Sequence, residues 1–180
     1  MTLIYKNKII LYLIVFSLGL ISSFSLPPYN LFYINFFSYS TLLWILLFNS
    51  KEKFVSFKIG WIFGFGYFIS NLYWITHSLT FEDIFKPLIP FALILVPLFL
   101  GLFYGFSTLL FAFLNPKKNL LSILILATSF SIFEYIRSFI LGGFPWNLIA
   151  FSFVNYLEFI QLLSFTGTYA FNSMIILLFL

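Results

Sequence analysis

The sequence contains no cysteine, and histidine occurs once among its 180 residues. The missing thiol excludes disulfide bonds, thiolate metal sites and a cysteine nucleophile within these residues. One histidine cannot form a metal site alone, and no H-E-x-x-H, P-loop or G-x-S-x-G pattern is present. We therefore predict no catalytic residue, no cofactor and no metal ion for these residues.

Charge is also scarce, because 8% of the residues are charged whereas a soluble domain carries about 25%. Hydrophobic residues make up 62% of the sequence. A soluble chain of this length would leave roughly a third of its surface facing water, and this composition offers too few polar groups for that surface. The sequence therefore predicts an integral membrane protein with membrane lipid around it.

A nucleic-acid partner is not expected. The net charge of +4 is small, and nucleic-acid binding requires a basic face with exposed aromatic side chains. Here the 29 Phe, 11 Tyr and 4 Trp residues lie inside the apolar runs instead.

Long apolar runs predict an all-α membrane protein, a polytopic transmembrane bundle of about six helices in one domain over residues 1–180. Lys6 and Lys8 precede the first run as in a signal peptide, but no A-x-A-like cleavage site follows. We therefore interpret this run as a retained helix. The predicted spans are residues 9–26, 29–48, 54–79, 87–114, 120–141 and 166–180.

The lysines are distributed asymmetrically over the predicted loops, and cytoplasmic loops are normally the basic ones. With a cytoplasmic N-terminus, one lysine, Lys86, falls in an outer loop. The others then lie inside or at the inner edge: Lys6, Lys8, Lys51, Lys53, Lys58, Lys117 and Lys118. The loop at 142–146 and the polar stretch at 155–161 are therefore predicted to face outward.

The last apolar run reaches Leu180 without a lysine or arginine at that end. The predicted run of 15 residues is shorter than the roughly 20 residues that a spanning helix needs. We expect a truncated sequence in preference to an unusually short final helix.

Two glycine pairs, Gly60 with Gly64 and Gly101 with Gly105, repeat at a spacing of four residues. This pattern places both glycines of a pair on one helix face, where the missing side chains allow a second helix to approach closely. We predict that both pairs form helix-packing faces.

Glu134 and Arg137 lie three residues apart near the outer end of the fifth predicted helix, so they share a face. Ionisable side chains at membrane depth are costly and normally face the protein interior or a cavity. Two interpretations stay open: a polar cavity wall in which Arg137 holds a lipid phosphate, or an internal ion pair with Arg137 extending toward the interface. Both place the two side chains against protein.

Two outer segments contain further candidate residues for an outward, lipid-facing polar pocket. Pro145 and Trp146 follow the glycines after the fifth predicted helix, and Asn71, Trp74 and His77 lie near the outer end of the third. The simpler alternative is a helix stop and an interfacial aromatic band. A catalytic role for His77 is disfavoured, because a lone histidine more often has a structural role.

The order of these motifs resembles the N-terminal membrane domain of the apolipoprotein N-acyltransferase family. The most specific match is a Glu-x-x-Arg pair leading into Gly-Phe-Pro-Trp, here Glu134, Arg137 and residues 143–146. Further matches are a proline turn, a glycine-rich helix leading into Asn-Leu-Tyr-Trp-Ile, and a Gly-x-Tyr segment, at residues 26–29, 60–75 and 166–171. The resemblance covers nearly the whole chain.

The resemblance implies a multi-pass protein of the bacterial inner membrane. Such enzymes transfer an acyl chain from a phospholipid to the N-terminal cysteine amine of a lipoprotein, through a thioester on a Glu-Lys-Cys triad. The family's triad lies in a nitrilase-like domain outside the cytoplasm, inserted before the last of eight helices. No triad residue can be placed on this cysteine-free sequence, so the fragment alone is expected to be inactive. The resemblance places Glu134, Arg137, Pro145 and Trp146 on the outer face of the membrane platform.

Two alternatives remain beside a fragment of such an enzyme. The chain could be the membrane half of a split acyltransferase whose partner carries the essential cysteine. It could also be a lipid-handling or transport membrane protein without covalent chemistry.

Overall fold

The computed structural model describes residues 7–114, 116, 120–140 and 143–180. The sequence-based expectations for Lys6, Lys117 and Lys118, and for residues 141–142 at the end of the fifth predicted span, lie outside the described residues. The described ranges contain α-helices, short 3-10 segments and connections, and no β-strand. This confirms the predicted all-α class.

Eight α-helices occur within these ranges. They are α1 (Lys8–Ser23), α2 (Ile34–Asn49), α3 (Lys53–Asn71), α4 (Ile89–Leu114), α5 (Leu120–Arg137), α6 (Leu157–Ile160), α7 (Leu163–Thr166) and α8 (Thr168–Phe179). Three 3-10 segments accompany them in the same ranges, at Tyr73–Thr80, Asp83–Leu88 and Ile149–Phe153.

The α-helical part of the third predicted span, 54–79, ends at Asn71, and the chain continues as the 3-10 segment Tyr73–Thr80. Three hydroxyl groups in this segment each donate to the carbonyl three residues earlier: Thr76 to Tyr73, Ser78 to Ile75 and Thr80 to His77. Such local bonds compete with the α-helical ladder and favour tighter, irregular backbone. The polar residues therefore explain why the regular helix stops early.

The second helix begins at Ile34, five residues after the predicted start at residue 29. Asn30 adopts a positive φ of 57° and its side-chain amide donates to the Pro28 carbonyl at 3.0 Å. Asparagine tolerates this left-handed conformation better than most residues. A turn therefore occupies the residues that were predicted to begin the second helix.

Short elements fill the chain between the loop after α5 and the final helix. Helices α6 and α7 are four residues each, and Gly167 lies between α7 and α8 with a φ of 77°. Glycine has no Cβ, so it adopts this backbone conformation without steric cost.

Glycines allow α1, α3 and α4 to pack with almost no side chain between them. A Cβ at Gly19 would overlap the Phe63 carbonyl, and one at Gly60 would overlap the Tyr104 carbonyl. Gly64 and Gly101 face each other, with the Gly101 Cα 2.9 Å from the place of a Gly64 Cβ. The predicted packing role of these pairs is confirmed.

The bundle has two distinct ends. At one, here called the lysine end, Lys8 lies 3.9 Å from Glu52 and Lys53 lies 4.0 Å above the ring of Phe113. At the other, here called the cavity end, the Ser70 hydroxyl donates to Ser23 at 2.6 Å.

Within the described ranges, two helical stretches are long and apolar enough to cross a membrane: Asp83–Leu114 and Leu120–Arg137. Helices α1, α2 and α8 are apolar but shorter, and so is the apolar stretch Leu157–Thr166, which contains α6 and α7. The six individual spans and the single transmembrane domain over residues 1–180 stay predictions.

Candidate functional site

A cavity of about 450 Å³ opens at the cavity end of the bundle. The turn after α1, the end of α3 and the loop after α5 form its sides. It brings together three of the residues singled out from the sequence, Asn71, Trp74 and Trp146.

The cavity lining combines aromatic rings with a small number of polar groups. Trp74 and Trp146 are 47% and 56% exposed, so their indoles border the opening. Ser70 and Asn71 lie beside them, and the Asn71 side-chain nitrogen is buried without a hydrogen-bond partner among the described residues. Apolar walls with a few polar groups suit an amphiphilic ligand.

Pro145 and His77 are placed differently from their sequence neighbours. Both are exposed and neither lines this cavity. The His77 ring lies 5.7 Å from that of Phe81, in an edge-on contact. The structure therefore separates His77 from Asn71 and Trp74.

Glu134 is buried in the core rather than at the cavity surface, with 1% of its area exposed. The Tyr104 hydroxyl donates to one carboxylate oxygen at 3.1 Å, and the side-chain amide of Asn172 donates to the other. The Tyr39 hydroxyl lies 3.5 Å from that of Tyr104. Glu134 thus links α2, α4, α5 and α8 through polar contacts.

Arg137 is equally buried, at 1% exposure. Its guanidinium carbon lies 5.2 Å from the ring centre of Phe68 and 5.7 Å from that of Phe144. Among the described residues the guanidinium nitrogens have no hydrogen-bond partner, and no Glu134–Arg137 contact reaches salt-bridge distance. Arg137 is therefore held by aromatic faces, a cation–π arrangement, while the ion-pair interpretation has no direct contact to support it.

Hydrogen bonds to other parts of the bundle hold the loop after α5. The Phe144 amide donates to the Arg137 carbonyl at 3.1 Å, and the Tyr67 hydroxyl donates to the Asn147 carbonyl at 3.1 Å. The Ala150 amide donates to the Asn172 side-chain oxygen at 2.9 Å. These bonds position the residues that line one side of the cavity.

Sequence reasoning did not single out Tyr67 or Asn172. Asn172 did give a signal, since an amide inside an apolar helix is costly unless it has partners. Tyr67 gave none, because it is one tyrosine among 11 in an aromatic-rich sequence and nothing in its position sets it apart.

The fold and the cavity define an all-helical membrane protein with an amphipathic site at one end of its bundle. Residues 18–179 match the family model for the apolipoprotein N-acyltransferase N-terminal domain. The chain therefore belongs to this family, and the resemblance stated from its motifs is confirmed.

Three curated relatives named apolipoprotein N-acyltransferase illustrate the match. The Rickettsia prowazekii protein is 38% identical over 174 residues, which cover 96% of this chain and 33% of the relative. The Allorhizobium ampelinum protein is 38% identical over 148 residues, which cover 77% of this chain and 28% of the relative. The Brucella suis protein is 36% identical over 149 residues, which cover 78% of this chain and 28% of the relative. The chain thus spans about a third or less of the length of these relatives.

Proposed function

We propose that this chain is the membrane platform of an apolipoprotein N-acyltransferase and that its cavity binds phospholipid. In the complete protein, an acyl chain would pass from the phospholipid to the N-terminal cysteine amine of a lipoprotein. The single observation that carries this proposal is the amphipathic cavity between Trp74 and Trp146, in a chain that belongs to this family.

The surface of the bundle supports placement in a membrane. Large apolar side chains are exposed on several helices, including Leu13 on α1, Phe37 on α2, Phe91 on α4 and Leu121 on α5, each at more than half of its area. Extended exposed apolar surface is rare on soluble monomers and marks contact with lipid or protein. We propose that this surface faces lipid, in the inner membrane of a bacterium.

The two ends of the bundle support an orientation. Lys8 and Lys53 lie together at the lysine end, while Trp74 and Trp146 lie at the cavity end. Basic residues favour the cytoplasmic side and tryptophan favours the membrane interface. We propose a cytoplasmic lysine end, which places the cavity at the outer surface.

The chemistry assigned to the family needs a thiolate that attacks the phospholipid ester and then yields the acyl group to an amine. These residues contain no cysteine, so the proposal assigns the covalent step to another part of the protein or to a partner. The role proposed for this chain is to bind phospholipid and present it at the outer surface.

Lipid binding can be tested with the purified chain in nanodiscs that contain a photoactivatable phospholipid. We expect cross-links near the cavity, and we expect Trp146→Ala to reduce them several-fold. Trp44→Ala is the matched control, because Trp44 is also a partly exposed tryptophan but lies on α2, outside the cavity. Equal labelling of both variants and the unaltered chain would contradict a cavity site.

The link to acyl transfer can be tested with a chimera. The corresponding N-terminal third of the Rickettsia prowazekii relative is replaced by this chain, and lipopeptide acylation is followed by mass spectrometry. We expect the chimera to add one acyl chain to the peptide and this chain alone to add none. An inactive but folded chimera would favour a lipid-handling protein without covalent chemistry, and activity of this chain alone would overturn the platform role.

A further inference from the structure

One segment of the cavity is connected to a buried carboxylate that does not itself line the cavity. The wall segment, residues 146–154, supplies Trp146, Asn147, Phe151 and Val154 to the lining. Its Ala150 amide donates to the side-chain oxygen of Asn172, and the side-chain nitrogen of the same residue donates to Glu134.

Asn172 uses both ends of its amide in this connection. It is 1% exposed, so water does not replace either partner. An ionised carboxylate only accepts hydrogen bonds, whereas a carboxamide has one accepting and one donating end. The acceptor on Glu134 and the donor at Ala150 therefore require the same orientation of the Asn172 amide, with its nitrogen toward α5 and its oxygen toward Ala150.

The bond from Ala150 ties the middle of the wall segment to a distant helix. The backbone bonds within the segment are local, such as Phe151 to Leu148 at 3.0 Å and Val154 to Phe151 at 3.2 Å. The Tyr67 hydroxyl holds only the start of the segment, at the Asn147 carbonyl.

Helix α8 also supports the wall segment by packing. The Phe153 ring stacks on that of Phe179 of α8, with ring centres 5.9 Å apart. Packing alone does not specify how the segment is turned, whereas the bond to Asn172 has a fixed donor and a fixed acceptor. The hydrogen bond between Ala150 and Asn172 therefore fixes the orientation of the wall segment against α8, which packing alone does not.

We propose that Glu134 is a positioning residue for the cavity: by orienting Asn172 it holds the wall segment in place and so sets the affinity of the cavity for phospholipid. This rests on the proposed lipid-binding function and adds a residue that acts at a distance from the ligand. Tyr104 donates to the same carboxylate. The other contact of the Tyr104 hydroxyl is with the hydroxyl of Tyr39, not with the wall segment.

Single substitutions disturb one partner of the connection at a time. In Glu134→Leu the side-chain nitrogen of Asn172 loses its acceptor. In Asn172→Leu the Ala150 amide loses its acceptor and Glu134 loses a donor. Each single variant therefore loses at least one hydrogen bond of the connection.

A double variant, Glu134→Gln with Asn172→Asp, keeps both bonds with the donor and the acceptor exchanged between the two residues. The glutamine amide introduced on α5 would donate to the carboxylate introduced on α8, whose second oxygen would accept from Ala150. The oxygen of the same glutamine would still accept from Tyr104. The total charge of the pair is the same as in the unaltered protein, with the carboxylate moved to α8.

Two readouts in nanodiscs separate positioning from general stability. Hydrogen exchange of peptides that contain Ala150 reports the wall, and photo-labelling by phospholipid reports the cavity. We expect each single variant to speed exchange there about tenfold, as for the loss of one hydrogen bond, and to lower labelling several-fold. The double variant should return both to within about twofold of the unaltered protein.

The control is Ser40→Ala, which removes a 3.1 Å bond to the Phe179 carbonyl on α8 without touching the wall backbone. It should leave both readouts unchanged. If the single variants do not fold, the double variant decides: recovery of folded protein supports the proposal, and failure to recover overturns it.

Failure of this inference differs from failure of the proposed function. Unaltered protein that is not labelled in the cavity removes the lipid-binding proposal, while the exchange data still test the connection. Normal labelling together with unchanged wall exchange in Glu134→Leu overturns the positioning role alone, as does a double variant as defective as either single one.

Discussion

Two kinds of contact hold the apolar helices of this protein together. Glycine contacts join α1, α3 and α4, and polar contacts join the helices around Glu134. In the first region, backbones meet because side chains are missing, as at Gly19 and Gly60. In the second, Glu134, Tyr104 and Asn172 come from three helices and meet through hydrogen bonds. Close glycine contacts hold two backbones together without fixing the orientation of any side chain. The hydrogen bonds around Glu134 fix the orientation of the Asn172 amide, which in turn holds the cavity wall.

The largest effect is expected in the glycine region. Gly60→Leu should prevent folding, because even a Cβ there overlaps the Tyr104 carbonyl and the Thr108 side chain. Overpacking by a few atoms already costs about 1–3 kcal/mol, and a leucine adds more. The yield of monodisperse protein in detergent is the measurement.

Gly105→Ala is the matched control for that prediction. Its Cβ would meet the ring of Phe57, at 2.9 Å, and a side chain can shift where backbone cannot. Alanine is also a better helix former than glycine by about 1 kcal/mol. A Gly60→Leu protein that folds like Gly105→Ala would show that the glycine contacts are not required.

The next largest effect is expected at Arg137. Arg137→Ala removes a buried side chain from between Phe68 and Phe144, and the void should lower the free energy of unfolding by roughly 2–4 kcal/mol. Thermal unfolding in detergent measures this. Lys86→Ala, at an exposed pair with Asp83, should change stability by no more than about 0.5 kcal/mol, and equal effects would contradict the importance of the buried site.

A smaller effect distinguishes two tyrosines of the polar region. Tyr67→Phe removes the donor to the Asn147 carbonyl on the cavity wall, and Tyr39→Phe removes a hydroxyl that contacts Tyr104. Both should cost about 1 kcal/mol, but we expect only Tyr67→Phe to reduce phospholipid labelling. An equal loss of labelling in both variants would show that phospholipid binding does not depend specifically on the hydrogen bond from Tyr67 to the cavity wall.

The smallest effect is expected where a polar group lies inside the glycine region. The Thr108 hydroxyl donates to the Ser56 carbonyl at 2.8 Å across α3 and α4. Thr108→Val keeps the shape and removes this bond, so it should lower the free energy of unfolding by about 1 kcal/mol or less. Lipid labelling should not change, and a large loss of labelling would show that the two regions are coupled.

The glycine region was predictable from the sequence because its signal is local. Gly60 and Gly64 are four residues apart, and helical periodicity alone puts them on one face. The all-α class followed in the same way from long apolar runs. By contrast, the early end of α3 depends on hydroxyl bonds within Tyr73–Thr80, which apolar periodicity does not report.

The polar region was predictable only in part. Glu134 and Arg137 attracted attention as charges at membrane depth, yet their partners come from distant segments. The bonds from Asn172 to Glu134 and from Tyr67 to Asn147 span 38 and 80 residues, and their register depends on how the helices pack. Likewise, Asn71, Trp74 and Trp146 share a cavity, whereas His77, three residues from Trp74, does not line it.

The most direct test of the account is which end of the bundle faces outward. The absence of cysteine makes single-cysteine variants free of background, so Ser78→Cys beyond the end of α3 and Lys51→Cys at the lysine end can be expressed in bacterial cells. A membrane-impermeant maleimide should label Ser78→Cys in intact cells and Lys51→Cys only after permeabilisation. Labelling of Lys51→Cys alone in intact cells would place the cavity in the cytoplasm and contradict the proposed platform.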